Sequence, residues 1–360
     1  MGQQIKTKRI FGLDLLRAIA ILIVVSTHGN GISALSMGWI PSIPKVNGVD
    51  IFFVLSGFFI GLILLKEISR NKEMDFKSVR KFWQKRLIRT VPAYYLILIV
   101  NYILVKKGLA FGNIDAFNFK FFLFAQNFSS YFVDFFWESW SLPVQEFFYL
   151  GFPVLLYVLL RYYGPQKAMF ISIIVMLVLP LVYRMAISNQ HVDYFWWDVK
   201  FRKIVLTRLD SIFYGVLAAY VRYFYNDFWV KNKNKMLLIG FCLMYIHLLG
   251  VSNVNTFYRK TFYFSFISLG IAMVLPFFDN IKTVKSKHLR GVVTYISNIS
   301  YGMYLVNLGI VALFIQKQYE INTPTQSFSL YMIYWIVTIA LSSMLYFFFE
   351  QPLVNWVKKK

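Results

Sequence analysis

Arg17 and His28 stand eleven residues apart in the apolar segment IFGLDLLRAIAILIVVSTHGN, residues 10–30. Eleven residues make close to three helical turns. At about 100° per residue the two side chains fall within roughly 20° of one face and about 16 Å apart in depth. An imidazole exchanges protons near neutral pH and serves as general base or nucleophile, while a guanidinium grips anions or polarises a carbonyl. An arginine near the centre of a membrane helix costs on the order of 3 kcal/mol, so it faces a partner or a wet cavity. A membrane histidine alone serves equally well as a hydrogen-bond donor between helices. The arginine on the same stripe favours a shared functional cavity. Asp14, three residues before Arg17, offers it a local ion pair.

Further polar residues interrupt other apolar stretches. Asp50 opens GVDIFFVLSGFFIG, residues 48–61, as a catalytic carboxylate or a helix cap, and Ser56-Gly57 in it is a notch where another backbone can approach. In KSVRKFWQKRLIRTVPAYY, Arg86 and Arg89 lie at i and i+3 on a helix that Pro92 is expected to end or kink. Two forked guanidiniums beside a cavity suit phosphate, whereas Lys77, Arg80, Lys81 and Lys85 read as a solvated face. Glu146, within ESWSLPVQEFFYLGFP, has no cation nearby in sequence and needs a partner from another helix. TRLDSIFYG brings Arg208 and Asp210 together near one surface, as a pair. NISYGMYLVN places Tyr301, Tyr304 and Asn307 along one slowly turning stripe. Glu350 precedes Pro352 in FFEQPL. No His, Cys and carboxylate set has ligand spacing, so no metal is expected.

The elements that must position these groups are membrane helices. The chain is 58% hydrophobic and 20% aromatic over 360 residues, which no ordinary soluble domain matches. The fold expected is an all-α polytopic membrane protein, one domain over 1–360, with about ten transmembrane helices. They are expected near 10–30, 49–67, 91–107, 140–160, 167–187, 207–225, 236–251, 258–278, 295–315 and 329–349. The first is read as a retained span rather than a cleaved signal, for want of a small-residue cleavage site. Cys242, the single cysteine, excludes an internal disulfide and a zinc–thiolate cluster.

The net charge of +22 has no soluble basic domain to carry it, so nucleic acid is not the expected partner. Lys and Arg gather before the first span, in 66–89, 161–167, 222–235 and 282–290, and at the C-terminus. The positive-inside bias then puts both termini in the cytoplasm, Arg17 toward the cytoplasmic half and His28 near the outer face. No internal repeat is visible, which weighs against an inverted-repeat transporter. Most of the aromatic residues read as lipid-facing belt.

Seven pieces in order, LDLLRAIAILIVVSTH, GVDIFFVLSGF, RLIRTVP, WSLPVQEFFYL, RLDSIFYGVLAAY, ISYGMYLVN and FEQP, span Leu13 to Pro352. Together they resemble the acyltransferase-3 family of integral membrane acyltransferases, which includes bacterial surface-polysaccharide O-acetyltransferases. The resemblance implies transfer of an acetyl group from cytoplasmic acetyl-CoA, a co-substrate, to a carbohydrate hydroxyl. By it, His28 and Arg17 are the residues tied most closely to activity, and Arg17, Arg86 and Arg89 bind the donor. Asp14 or Asp50 would orient His28, and Glu146 is a further catalytic candidate, one place beyond Gln145, where the family usually has Glu. Trp140, Tyr149, Arg208, Asp210 and Tyr304 are the candidate acceptor-binding residues. Asn307 stands where many members have His and is given no proton-transfer role. The expected partners are a carbohydrate acceptor and membrane lipid of the cell membrane, and a homo-oligomer is compatible with the sequence. An exporter of a glycan or lipid-linked glycan is the alternative from another class, and a succinyl or other acyl donor the alternative within this one.

Overall fold

The computed structural model describes residues 9–39, 47–71, 74–131, 134–249 and 253–359. Lys6, Lys8, Lys72 and Lys360, which entered the charge argument for orientation, lie outside the described residues. The chain is about 81% helical, and no strand occurs among the described residues. Ten helices of sixteen residues or more follow in chain order. They are α1 (Phe11–His28), α2 (Gly48–Asn71), α3 (Phe76–Lys106), α4 (Ser141–Leu159) and α5 (Pro165–Ile187), then α6 (Leu209–Phe224), α7 (Lys233–Leu249), α8 (Tyr263–Asn280), α9 (Lys287–Val306) and α10 (Pro324–Met344). Each overlaps one expected segment.

Among the described residues eight stretches are long and apolar enough to cross a membrane; α6 and α7, at 16 and 17 residues, are shorter than these. Phe170, Ile174, Val178, Leu179 and Val182 of α5 are exposed, as apolar side chains facing lipid would be. The protein is a multi-pass membrane protein.

Local chemistry sets the helix ends. Asp75 caps α3 by accepting from the Ser78 N–H at 2.8 Å. Pro324 occupies the first turn of α10, whose cap Thr323 accepts from Gln326 N–H at 3.3 Å. Of the two outcomes expected at Pro92, an end or a kink of the helix, the end is ruled out. Helix α3 runs unbroken from Phe76 through Pro92, so the basic stretch is the first half of the same helix whose apolar half was expected at 91–107. Neighbouring helices can tolerate the lost backbone donor in this setting.

Helix α1 is the hub and packs against α2, α8 and α9. Helices α2 and α6 meet backbone to backbone, as the Ser56-Gly57 notch suggested. A Cβ on Gly57 would collide with the Ile212 carbonyl, one on Gly215 with the Val54 carbonyl, and one on Gly61 would lie 2.8 Å from Ala219 Cβ. Two helices widen into π turns. Helix α9 continues through Asn307–Ala312 to Gln318, and α10 through Leu345–Glu350 to Lys359. A third π turn, Asp198–Arg202, precedes α6. Such turns shift the hydrogen-bond ladder by one residue and re-aim side chains.

Candidate functional site

The C-terminal end of α1 carries the first polar cluster. His28 is half-buried, and its Nδ1 lies 2.5 Å from Asn307 Oδ1, at the start of the α9 π turn. The Asn307 amide is fixed by its other end, since Nδ2 donates to the carbonyls of Met303 at 2.7 Å and Tyr304 at 2.9 Å. Oδ1 is therefore the atom that meets the imidazole, and an acceptor there requires the proton on Nδ1. The lone pair of the neutral ring is then on Nε2. Tyr334 closes the cluster from α10, donating to Val25 O at 2.8 Å with its hydroxyl 3.5 Å from Asn307 Oδ1. Tyr304 donates to the Glu138 carbonyl at 2.5 Å and lies 2.6 Å from Ser141 Oγ.

The second cluster lies toward the N-terminal end of α1. Arg17, Arg86 and Arg89 form no salt bridge among the described residues; Arg17 stacks over Phe59 at 5.2 Å and Arg86 over Phe82 at 5.7 Å. The charge of Arg89 reaches Arg17, and Tyr149 is within the fields of Arg86 and Arg89. Thr90 donates to Glu146 Oε1 at 2.8 Å, and Tyr301 donates to the Thr90 carbonyl at 2.8 Å. Glu146 Oε2 and Glu350 Oε1 are buried and have no hydrogen-bond partner. Gln145, in the place usual for Glu, reaches Ser56 Oγ at 3.4 Å.

The cationic cluster thus lies toward one end of α1 and an imidazole whose tautomer is fixed at the other. Several expected partnerships are corrected. Asp14 is paired with Arg9 and accepts from Ser297 Oγ at 3.1 Å, so its charge reaches Arg17 but forms no salt bridge with it. Neither Asp14 nor Asp50 orients His28, because Asn307 holds that position and Asp50 is ion-paired with Arg208. Arg208 and Asp210 do not pair with each other and are not at a surface; both are 0% exposed. Asp210 takes a bidentate grip from Arg184 at 2.9 and 2.7 Å and a hydrogen bond from Ser265 at 2.9 Å. Fully desolvated charges hold only when paired in this way, and these two pairs fasten α6 to α2, α5 and α8. Trp140 is buried edge-to-face against Phe53 at 5.9 Å, with Arg202 over its ring at 5.3 Å. Among the described residues no group of three His, Cys, Asp or Glu side chains is placed to hold a metal.

A family profile described as an acyltransferase domain matches residues 10–347. The chain belongs to the acyltransferase-3 family. OatA of Staphylococcus aureus strain NCTC 8325, named an O-acetyltransferase, is 29% identical over 58% of this chain and 34% of its own length. A candidate O-acetyltransferase of S. aureus strain COL is 27% identical over 96% of this chain and 58% of its own length. YrhL of Bacillus subtilis strain 168, named a candidate peptidoglycan O-acetyltransferase, is 28% identical over 95% of this chain and 54% of its own length. The acyltransferase-3 chain therefore spans about a third to three-fifths of these relatives. No solved structure matches it.

Sequence reasoning about this acyltransferase-3 domain missed Asn307 as the partner of His28, because a substitution at a familiar position was read as a lost role. It also missed Thr90, Tyr334 and Glu138. Glu138 gave a signal, an acid flanked by Trp137 and Trp140 at the entry to an apolar helix.

Proposed function

We propose that this domain moves an acetyl group from acetyl-CoA on the cytoplasmic side to a hydroxyl of a cell-surface or lipid-linked carbohydrate. The observation that carries the reading is α1 itself. Among the described residues it holds an arginine outside any salt bridge beside two more such arginines toward one end, and a histidine whose Nε2 has no hydrogen-bond partner at the other. Guanidiniums without carboxylate partners in an apolar bundle suit an anionic ligand, and the phosphates of CoA supply one. Arg86 and Arg89 hold those phosphates, Arg17 guides the thioester, and the flexible pantetheine arm covers the depth toward His28.

His28 Nε2 takes the hydroxyl proton as the oxygen attacks the acyl carbon. The new C–O bond forms, the C–S bond breaks, and CoA leaves as thiolate to be protonated. Family membership and three relatives named for O-acetyl transfer support this chemistry, and one relative's name supports a peptidoglycan-type acceptor. The positive-inside bias supports cytoplasmic termini in a cell membrane.

The test uses the full chain in nanodiscs with radiolabelled acetyl-CoA, following CoA release and label on added cell-wall glycan. The wild type is expected to release CoA and label glycan, and His28→Ala to do neither while eluting as folded protein. Undiminished transfer by His28→Ala, or no acyl-CoA turnover by the wild type, overturns the reading.

A further inference from the structure

Glu138 has no part in the chemistry above, yet it is one of the most deeply placed acids, 1% exposed. It lies two residues after Phe136, whose left-handed backbone (φ 50°) is unusual for a bulky residue. That turn is held by its surroundings. Asn127 Nδ2 donates to the Trp140 carbonyl at 2.8 Å, and Tyr304 to the carbonyl of Glu138 itself.

The Glu138 side chain reaches the α9 π turn. Its Oε1 accepts the Gly309 N–H at 2.9 Å, while Oε2 is buried with no partner. No cation pairs with Glu138 among the described residues. From α3, buried Asn101 donates Nδ2 to the Ile97 carbonyl at 2.9 Å, which leaves Oδ1 turned toward Gly309. A Cβ on residue 309 would collide with that oxygen and stand 3.0 Å from Glu138 Oε1. A carboxyl and an amide oxygen thus flank one glycine, whose N–H serves Oε1 alone and leaves Oε2 without a donor.

Two acceptors in an apolar bundle repel, and an ionised carboxylate there is costly without a counter-charge within salt-bridge reach, of which there is none among the described residues. One proton on the carboxyl turns the repulsion into an O–H···O bond. The titratable groups facing Glu138 are the phenols of Tyr304 from α9 and Tyr334 from α10; the cations of the same region, Arg202 over the Trp140 ring and Lys203 over the Trp137 ring, are ion-paired with Asp198 instead.

We infer that Glu138 is held as the neutral acid and clasps the π turn Asn307–Ala312 to Asn101 of α3, so fixing Asn307 against His28. It is a positioning residue, acting on the reaction through Gly309 and Asn307. The inference rests on the proposed role of His28 only for its effect on rate; the proton on Glu138 stands apart from that reading.

Glutamine is the isostere of a neutral carboxyl, with a donor for Asn101 and an acceptor for Gly309, so Glu138→Gln separates the alternatives. Infrared difference spectra of the full chain in nanodiscs, wild type against Glu138→Gln, are expected to show loss of protonated-carboxyl absorption. Loss of carboxylate absorption instead overturns the inference, as does a Glu138→Gln protein that no longer folds. In the acetyl-CoA assay, Glu138→Gln is expected within about threefold of wild type and Glu138→Ala about tenfold or more lower, as loss of a buried hydrogen bond dictates. The wild-type rate is expected to fall at high pH as the clasp ionises, a limb missing from Glu138→Gln. Equal inactivity of Gln and Ala variants overturns the clasp, because the group must then ionise or pass its proton. No turnover by the wild type counts against the acetyl-transfer reading and leaves the infrared result standing.

Discussion

His28 Nδ1 and Asn307 Oδ1 lie 2.5 Å apart, joining the last residue of α1 to the first residue of a π turn in α9. The amide does for the imidazole what a carboxylate does in many general bases: it fixes the tautomer and the ring plane. Being neutral, it does so without adding a second charge to an apolar bundle.

Asn307→Ala removes that hold. A net hydrogen-bond contribution of about 1 kcal/mol predicts a fall in kcat of roughly five- to tenfold, with KM for acetyl-CoA unchanged. Steady-state kinetics in nanodiscs checks it. A rise in KM with kcat intact would place Asn307 in donor binding instead.

Arg86→Gln and Arg89→Gln are predicted to act in the opposite sense. Charge-assisted bonds to phosphate contribute about 1.5–3 kcal/mol each, so KM for acetyl-CoA rises about ten- to hundredfold per substitution. Because Arg89 is exposed, its share weakens as salt is raised. Titrating acetyl-CoA at two ionic strengths decides the matter, and an unchanged KM in both variants would remove these arginines from the donor site.

The helices were legible because apolar length alone specifies a membrane helix: each of the ten expected segments overlaps an observed helix, and eight fall on stretches long and apolar enough to cross a membrane. Arg17 and His28 stood out because polar and charged groups in such a segment are costly, and Arg86 and Arg89 because two guanidiniums stand about one turn apart on one helix face. Partnerships were not legible. Asp50 meets Arg208 across 158 positions, and His28 meets Asn307 across 279. Sequence proximity suggested Asp14 with Arg17 and Arg208 with Asp210, but rigid helices set which side chains meet, and Arg9 and Arg184 reached those acids first. The start of α3 lay outside the expected segment 91–107 for a different reason: hydropathy marks only the apolar half of the helix, although its basic residues are good helix formers behind an Asp75 cap.

The arginines should divide by thermal stability. Breaking the buried Arg184–Asp210 pair with Asp210→Asn leaves an uncompensated cation and is predicted to cost about 3–5 kcal/mol, lowering the melting temperature in detergent. Arg17→Gln removes a charge that has no ion-pair partner and should leave the melting temperature unchanged or raise it. Equal destabilisation of both would mean that Arg17 is structural.

Asp198, outside the spans, is bonded to Arg202 at 2.6 Å and Lys203 at 2.6 Å. Burial pushes its carboxyl up, but the two cations outweigh this and hold it below the ordinary carboxylate value. Its folded-state pKa is depressed, so its stabilisation is present in full above the unfolded value and is lost as pH falls through the folded one. The melting-temperature gap between wild type and Asp198→Asn should therefore be constant at neutral pH and close in acid. A gap that persists in strong acid would be a packing effect of the substitution.

Gly57→Ala tests the seam between α2 and α6. Its new methyl group would meet the Ile212 carbonyl, a backbone atom that cannot swing aside, so the helices must separate along a contact that Gly61 and Gly215 also need close. Overpacking of this kind costs about 1–3 kcal/mol. At Gly151 of α4, where a Cβ would meet nothing within 4 Å, the same substitution should be neutral or stabilising by up to about 1 kcal/mol through helix propensity. Fluorescence-detected size exclusion after a temperature series reports both variants together. If Gly57→Ala melts with the wild type, the two backbones do not approach as closely as the structure has them, and the Asp50–Arg208 pair across the same seam loses its support.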